Sequence, residues 1–86
     1  MYLHLGQNVV VREKAVLGIF DLDNTTSSHI TRMFLNEAEK AGQVTSISDE
    51  LPNSFIVCDE DNEQKIYLSQ LSTQTLLRRA ETMRFE

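Results

Sequence analysis

Hydrophobic and polar residues change their spacing several times along the first 20 residues. Met1–Leu5 alternates in part, Val9–Val11 is a short apolar run, and Ala15–Phe20 is a longer one. Short runs of this kind, separated by turn residues, are typical of β-strands. The pattern predicts three strands in an antiparallel meander, the third of them buried on both faces because its apolar run is nearly continuous. Gly18, inside that run, predicts a bulge or a close approach to the backbone.

A polar segment, residues 21–28, separates the third strand from a predicted helix. Thr26, Ser27 or Ser28 is a suitable N-cap, because each hydroxyl accepts a hydrogen bond from a backbone N–H of the first helical turn. Gly42 suits the left-handed position that ends many helices. Between these two ends, one apolar stripe recurs at helical spacing, and its residues are Ile30, Met33, Phe34, Ala38 and Ala41.

The second half of the chain predicts three more strands and a second helix. A weak alternating strand is expected at Val44–Ile47, a buried strand at Phe55–Cys58, and a strand that pairs back as a hairpin at Lys65–Ser69. The final helix is predicted from about Thr73 to Met83, with Ser72 as its N-cap. A hydrophobic staple and an apolar stripe support this helix, formed by Leu71, Leu76, Leu77, Ala80 and Met83.

These elements predict an α+β fold. The interpretation is a small single domain over residues 1–86, an antiparallel sheet with two helices in the order β-β-β-α-β-β-β-α. A domain of this size buries only roughly 60% of the surface of its unfolded chain. An exposed sheet edge or helix face could therefore be completed by another copy of the chain.

Composition narrows the class of protein. The single cysteine excludes an intramolecular disulfide, and Cys58, inside an apolar run, is expected to be a small buried hydrophobe. The sequence has no run of ~18 apolar residues and no signal-peptide pattern. It therefore predicts a cytoplasmic protein without a membrane partner.

The charges are segregated along the chain, whose net charge is −5. Residues 36–63 hold eight of the 13 acidic residues and one basic residue, whereas residues 64–86 hold four of the eight basic residues. An acidic chain does not attract nucleic acid by its mean charge, although a local basic face still does so. The arginines of the C-terminal segment have two interpretations, a solvated helix face or a surface that contacts phosphate or a partner.

One motif, Asp21-Leu-Asp23-Asn-Thr25, suggests a catalytic site. It follows a hydrophobic strand, as does the first motif of haloacid-dehalogenase-like phosphotransferases, in which two aspartates act beside a magnesium ion. The hypothesis is a metal-dependent phosphohydrolase that uses Asp21 and Asp23. That fold needs parallel strands joined by crossovers of a dozen or more residues, but the short connections here favour hairpins. We therefore interpret the motif as a turn and the chain as a protein that is not an enzyme.

The acidic segment Asp59–Gln64 gives no calcium motif. An EF-hand loop that began at Asp59 would need Gly and Glu where the chain has Gln64 and Gln70. The segment is interpreted as a solvated hairpin tip that discourages edge-to-edge aggregation. No catalytic residue, metal site or cofactor is predicted.

Four stretches together carry a resemblance to a known family: Met1-Tyr-Leu-His-Leu-Gly6, Val16-Leu-Gly-Ile-Phe-Asp21, Lys65-Ile-Tyr-Leu-Ser69 and Leu71-Ser-x-x-Thr75-Leu76-x-x-Arg79-Ala80. In their order and spacing, over nearly the full chain, they resemble the RemA/RemB family of extracellular-matrix regulatory proteins. The resemblance implies a bacterial, cytoplasmic regulator of extracellular-matrix and biofilm genes. It further implies a ring-like homo-oligomer that binds double-stranded DNA through exposed arginines.

The family's DNA-binding pattern matches this chain poorly. The family has an Arg after the second strand and an Arg-Arg pair in the loop before the central strand. Here Arg12 and Lys14 lie near the first position, where Ala15 is the closest match by spacing. The loop holds Asp49-Glu50-Leu51-Pro52-Asn53, and its two acids would repel phosphate. The resemblance thus implies that the oligomer is inherited, while binding to DNA is absent, weakened or moved to other residues.

The remaining candidates for nucleic-acid contact are Arg12, Lys14, Arg32, Arg78 and Arg79. Two hypotheses follow for the function. The first is a regulatory homo-oligomer that acts on transcription directly or through a regulatory protein partner. The second is an oligomeric scaffold that binds protein and not DNA, which the net charge favours.

Overall fold

A computed structural model describes residues 2–22 and 29–84 of the chain. The predicted α+β class and the predicted order of elements are confirmed. The elements are β1 (Tyr2–Gly6), β2 (Val9–Arg12), a 3₁₀ turn (Glu13–Ala15), β3 (Val16–Asp21), α1 (His29–Lys40), β4 (Val44–Ser46), β5 (Ser54–Glu60), β6 (Glu63–Ser69) and α2 (Thr73–Arg84).

The predicted three-stranded meander is wrong. β1 and β2 form an antiparallel ribbon of two strands, whereas β3 belongs to a separate four-stranded sheet with the order β3-β5-β6-β4. The 3₁₀ turn between β2 and β3 is the physical reason, because it redirects the chain from the ribbon to the sheet. The sheet is also mixed, since β4 pairs in parallel with β6 while the other pairs are antiparallel.

Strand β5 is the centre of the molecule and is buried on both faces. Phe55 and Val57 join one apolar cluster, which includes Ala38 of α1. Ile56 and Cys58 join a second cluster, which includes Leu3 of β1, Leu76 of α2 and residues of β2. Because side chains alternate between the faces of a strand, the fold has three layers. Helix α1 covers one face of the sheet, and the ribbon with α2 covers the other.

Two buried serines join the ribbon, the sheet and α2. The Ser69 hydroxyl donates to the Leu5 carbonyl at 2.5 Å and accepts from the Leu71 N–H at 3.0 Å. The Ser54 hydroxyl donates to the Leu71 carbonyl at 2.9 Å. These bonds hold the start of α2 against β1 and satisfy polar groups that burial would otherwise penalise.

The predicted helix ends are confirmed where the structure describes them. The Thr75 N–H donates to the Ser72 hydroxyl at 3.1 Å, so Ser72 is the N-cap of α2. Gly42 has φ +75 and its N–H donates to the Glu39 carbonyl, while the Gln43 N–H donates to the Ala38 carbonyl. This pair of bonds is a Schellman motif that ends α1. The N-caps predicted for α1, at Thr26, Ser27 and Ser28, lie outside the described residues.

The predicted role of Gly18 is also confirmed. The pairing of β3 with β5 shifts register between Val16 and Gly18, which marks a bulge. A Cβ at Gly18 would lie 2.7 Å from the ring of Phe20. This close approach explains why a residue without a side chain interrupts an apolar strand.

The acidic hairpin tip is tighter than the predicted loop Asp59–Gln64. Only Asp61 and Asn62 connect β5 to β6, and both have positive φ, at 53° and 66°. A two-residue turn with positive φ at both positions is type I′, which matches the twist of a hairpin. Asp59, Glu60 and Glu63 therefore lie on strands, where their carboxylates have defined directions.

Candidate nucleic-acid interface

The five predicted basic residues are all exposed, but they lie on different layers of the fold. Arg12 ends β2, Lys14 is in the 3₁₀ turn, and Arg78 and Arg79 are in α2. Arg32 is in α1, on the opposite side of the sheet. The structure therefore does not bring Arg32 together with the other four.

Arg79 connects α2 to the ribbon. Its Nη1 donates to the His4 carbonyl at 3.3 Å. A guanidinium carries five N–H donors, so this single bond orients the side chain and does not use all of its donors. The bond places a cation of α2 beside an exposed strand that is 75 positions away in sequence.

The exposed side of the ribbon carries aromatic and basic groups together. Tyr2 pairs with Arg12 and His4 pairs with Val10 across the two strands, and all four side chains are exposed. Cross-strand partners in an antiparallel pair lie on the same face. We refer to Tyr2, His4, Val10, Arg12 and Arg79 as the ribbon face.

Tyr2 and His4 were missing from the predicted site. The alternation of exposed and buried residues in Met1–Leu5 was the available signal, since it placed the two on one side of a strand. Their proximity to Arg12 depends on strand pairing, and their proximity to Arg79 depends on helix packing. Neither of these two arrangements has a local sequence signal.

Lys14 shares one open groove with part of the ribbon face. The groove, of about 510 Å³, is lined by Lys14, by Tyr2, Val10 and Arg12 of the ribbon face, and by Asp59, Glu60 and Asp61. The groove thus contains basic groups of the β2–β3 connection and acidic groups of the β5–β6 hairpin. The sequence placed these acids in a solvated tip and gave no indication that they lie near Arg12 and Lys14.

The opposite side of the sheet has an exposed apolar surface. Leu17 and Phe20 of β3 and Ile30 and Phe34 of α1 line one groove, and Met33 of α1 is also exposed. We refer to these five residues as the apolar face. Phe20 stacks on Phe55 with ring centroids 4.9 Å apart, so the apolar face is continuous with the core.

The phosphohydrolase motif has only one described aspartate. Asp21 lies at the end of β3 and pairs with Ser54. Asp23 and Thr25 lie outside the described residues. Within residues 2–22 and 29–84, no group of three His, Cys, Asp or Glu side chains is arranged to hold a metal ion.

Two titratable groups near the acidic hairpin have displaced pKa values. Burial, and to a smaller extent the charge of Glu60, raises the pKa of the Cys58 thiol to about 11. Burial is also the main cause that raises the pKa of the Tyr67 hydroxyl, and Glu60 contributes to it. Cys58 is fully buried, as predicted, and at neutral pH it is a protonated and unreactive thiol.

Neither helix of the described chain is both long and apolar enough to cross a membrane.

The fold and the exposed surfaces define a small α+β protein with a basic ribbon face and an apolar face. Residues 2–80 match the model of the RemA-like family, described as extracellular matrix regulatory protein A-like, and the chain belongs to this family. It is similar to extracellular matrix regulatory protein B of Bacillus subtilis (strain 168). The two are 39% identical over 83 residues, which cover 96% of this chain and 94% of that protein. The predicted resemblance is confirmed.

Proposed function

We propose that this chain is a cytoplasmic regulator of bacterial extracellular-matrix genes that acts as a homo-oligomer and binds double-stranded DNA through the ribbon face. Family membership and the name of the Bacillus subtilis relative support the regulatory part. The observation that carries the DNA binding is the Arg79 to His4 bond, because it brings a cation of α2 to the backbone of β1, whose partner strand β2 holds Arg12.

The chemistry of the ribbon face suits a phosphate backbone. Arg12 and Arg79 supply guanidinium groups, which bind phosphate through charge and paired N–H donors. Tyr2 and His4 add side chains that hydrogen-bond to phosphate or sugar. Tyr2, Val10 and Arg12 also line the groove that holds Asp59, Glu60 and Asp61, so acidic side chains border one side of this face.

One copy of the chain presents few cations to DNA, and oligomerisation would increase their number. Two arginines bind few phosphates, and the net charge of −5 opposes them. Several copies that present the same face to one duplex would multiply the bound phosphates without any new residue. The apolar face is the surface that we assign to contact between copies.

The size of the apolar face supports this assignment. Its five side chains expose between 37% and 78% of their surface, which corresponds to an area on the order of 500 Å². A standard protein–protein interface buries roughly 800 Å² on each partner, including a polar rim. The apolar face has the size of the centre of such an interface.

Fluorescence anisotropy with a labelled duplex tests the DNA binding. The purified protein should bind at low salt, with log affinity falling linearly with log salt. Arg12→Ala and Arg79→Ala should each weaken binding by roughly fivefold and reduce the salt slope by about 0.9 for each phosphate that is no longer bound. Arg32→Ala is the matched control, because it removes the same charge from α1, on the other side of the sheet.

Two results would contradict the proposal. Absence of binding by the intact protein at low salt would exclude direct DNA binding. Equal reductions of affinity in Arg32→Ala and Arg79→Ala would show that total charge, and not the ribbon face, determines binding.

A second candidate function is an oligomeric scaffold that binds a protein partner and not DNA. The apolar face favours it, because such a surface serves a foreign partner as well as a second copy. A partner that is retained after nuclease treatment, in the absence of any affinity of the purified protein for duplex DNA, would distinguish this function from the first.

A further inference from the structure

The acidic hairpin and the basic connection between β2 and β3 are neighbours because of strand register. Val16 pairs with Cys58 at the start of β3, in an antiparallel arrangement. Going back along the chain from Val16 therefore corresponds to going forward from Cys58. The 3₁₀ turn (Glu13–Ala15) accordingly contacts β5, and its Lys14 shares an open groove with Asp59, Glu60 and Asp61.

The two sets of charges face one groove without neutralising each other by direct contact. Across the described residues of the groove, no ion pair of 4.0 Å or less joins Arg12 or Lys14 to Asp59 or Asp61. Glu60 has a partner elsewhere, since its carboxylate lies 3.7 Å from the Lys65 ammonium. Asp59 and Asp61 are exposed, so they are the carboxylates whose charge acts most directly on the groove.

The position of these carboxylates is held by the backbone. Asp59 pairs with Gln64 on β6, and Asp61 is in the tight two-residue turn. A short hairpin of this kind keeps its tip in one place relative to the sheet. The negative charges are thus a constant part of the surroundings of Arg12 and Lys14.

We propose that the acidic end of the β5–β6 hairpin, Asp59 to Asp61, lowers the affinity of Arg12 and Lys14 for nucleic-acid phosphate and so restrains DNA binding by the chain itself. This inference rests on the proposed DNA binding and adds its regulation. A phosphate that approaches Arg12 or Lys14 enters the groove and meets the negative field of the carboxylates. Any event that neutralises the hairpin tip strengthens DNA binding.

The expected effect is local and sensitive to salt. Charges on two sides of one groove lie within the screening length, which is about 10 Å at 0.1 M ionic strength. Removing two such charges should raise DNA affinity by roughly tenfold at 50 mM salt, and by much less at 0.5 M. If Arg12 and Lys14 then reach phosphate, the salt slope should steepen by about 0.9 for each additional phosphate bound.

The test compares two double variants with the same change in charge. Asp59→Asn with Asp61→Asn neutralises the hairpin tip, and Asn tolerates the positive φ of position 61. Glu37→Gln with Glu39→Gln is the control, because it removes the same charge from exposed positions of α1, on the other side of the sheet. Anisotropy with a labelled duplex is measured for both variants and for the unchanged chain over a salt series.

The inference requires that the hairpin variant binds roughly tenfold more tightly than the unchanged chain and that the α1 variant gains less than about threefold. Arg12→Gln with Lys14→Gln should then abolish the gain when combined with the hairpin variant. Equal gains in the two double variants, or a gain that persists without Arg12 and Lys14, would overturn the inference.

The same series separates this inference from the proposed function. If the unchanged chain binds DNA and the hairpin variant binds no better, the inference fails and the proposed function stands. If only the hairpin variant binds at 50 mM salt, the inference stands and direct DNA binding by the unchanged chain is excluded. If none of the proteins binds at 50 mM salt, both are wrong.

Discussion

The two helices are similar in length and in apolar patterning, but they use their apolar stripes differently. Leu76 of α2 is 0% exposed and packs with Leu3 and Leu5 of the ribbon. In α1 only Ala38 is fully buried, and Ile30 is 78% exposed. Helix α1 is thus anchored by its C-terminal half, while its N-terminal half carries the apolar side chains that remain exposed.

This difference shows what an amphipathic pattern means. The pattern states that one side of a helix favours an apolar environment, but it does not state which surface supplies that environment. For α2 the ribbon and the sheet supply it within the chain. For the N-terminal half of α1, nothing in the described part of the chain covers the stripe, which is why we assign the apolar face to contact between copies.

The largest expected difference between the two helices is in how much their apolar residues contribute to the free energy of unfolding. Leu76→Ala should lower the free energy of unfolding by about 3 kcal/mol, because it removes buried methyl groups and leaves a cavity. Ile30→Ala should change it by no more than about 0.5 kcal/mol in the dissociated chain. Urea denaturation of both variants in dilute solution checks this, and a cost for Ile30→Ala close to that of Leu76→Ala would show that Ile30 is buried within one chain.

For self-association, in contrast to stability, substitutions in α1 should have larger effects than substitutions in α2. Ile30→Asp should weaken self-association by roughly 100-fold, because it places a charge on the apolar face. Leu77→Asp is the matched control, since Leu77 is an exposed residue of α2 outside that face. Light scattering after size exclusion, over a range of protein concentrations, measures both variants. If Leu77→Asp dissociates the oligomer and Ile30→Asp does not, the assignment of the interface is wrong.

The caps of the two helices should contribute about equally to the free energy of unfolding, whereas their apolar stripes should contribute unequally. Gly42→Ala should cost about 1 kcal/mol of stability, because it forces an alanine to φ +75, although no atom lies within 4 Å of the added Cβ. Ser72→Ala should also cost about 1 kcal/mol, because it removes the N-cap of α2. Thermal or urea unfolding checks both, and Gln74→Ala, an exposed first-turn substitution, is the control that should cost less than about 0.5 kcal/mol.

A smaller effect on stability is expected from pH, through Cys58, which lies in the same apolar cluster as Leu76 of α2. The folded chain holds the Cys58 proton more tightly than the unfolded chain, since burial raises the pKa from 9.0 to about 11. The free energy of unfolding should therefore be insensitive to this group below pH 9 and should fall between pH 9 and 11, by on the order of 1 kcal/mol. Urea denaturation at pH 8.5 and 10.5 measures the fall.

Cys58→Ala isolates the contribution of the thiol to that pH dependence. Its stability should fall less than that of the unchanged chain over the same interval, and the remaining dependence should include the Tyr67 hydroxyl, whose pKa is also raised. Equal pH dependence in the variant and the unchanged chain would contradict the assignment.

Local patterns predicted the order of the elements and the helix ends that the structure describes. The prediction that β3 is buried on both faces is wrong, because β3 is an edge strand whose Leu17 and Phe20 are 67% and 42% exposed. Ser72 and Gly42 act on backbone groups only a few positions away, and the buried strand around Phe55 follows from its own apolar run. Family membership was likewise visible in the order and spacing of short stretches, and the family model confirms it. The roles of the five predicted basic residues in nucleic-acid binding stay predictions.

Pairing between strands that are distant in sequence was harder to predict from local patterns. The meander was predicted because strands that are adjacent in sequence usually pair. It was wrong because β3 leaves the ribbon after the 3₁₀ turn and pairs with β5. The parallel pairing of β4 with β6 also has no signature in either strand, since it depends on the path that the chain takes between them.

The sequence by itself determined the two helices, the order of the strands and the caps at Ser72 and Gly42, because near neighbours along the chain decide each of these. It also indicated the buried thiol, from an apolar run, and the family, from the order of short stretches. The tertiary structure alone decided that Arg79 meets His4, that Lys14 shares a groove with the acidic hairpin, and that the stripe of α1 is left partly exposed. The physical reason is that these features depend on surfaces meeting across dozens of residues, where strand register and layer packing outweigh any local preference.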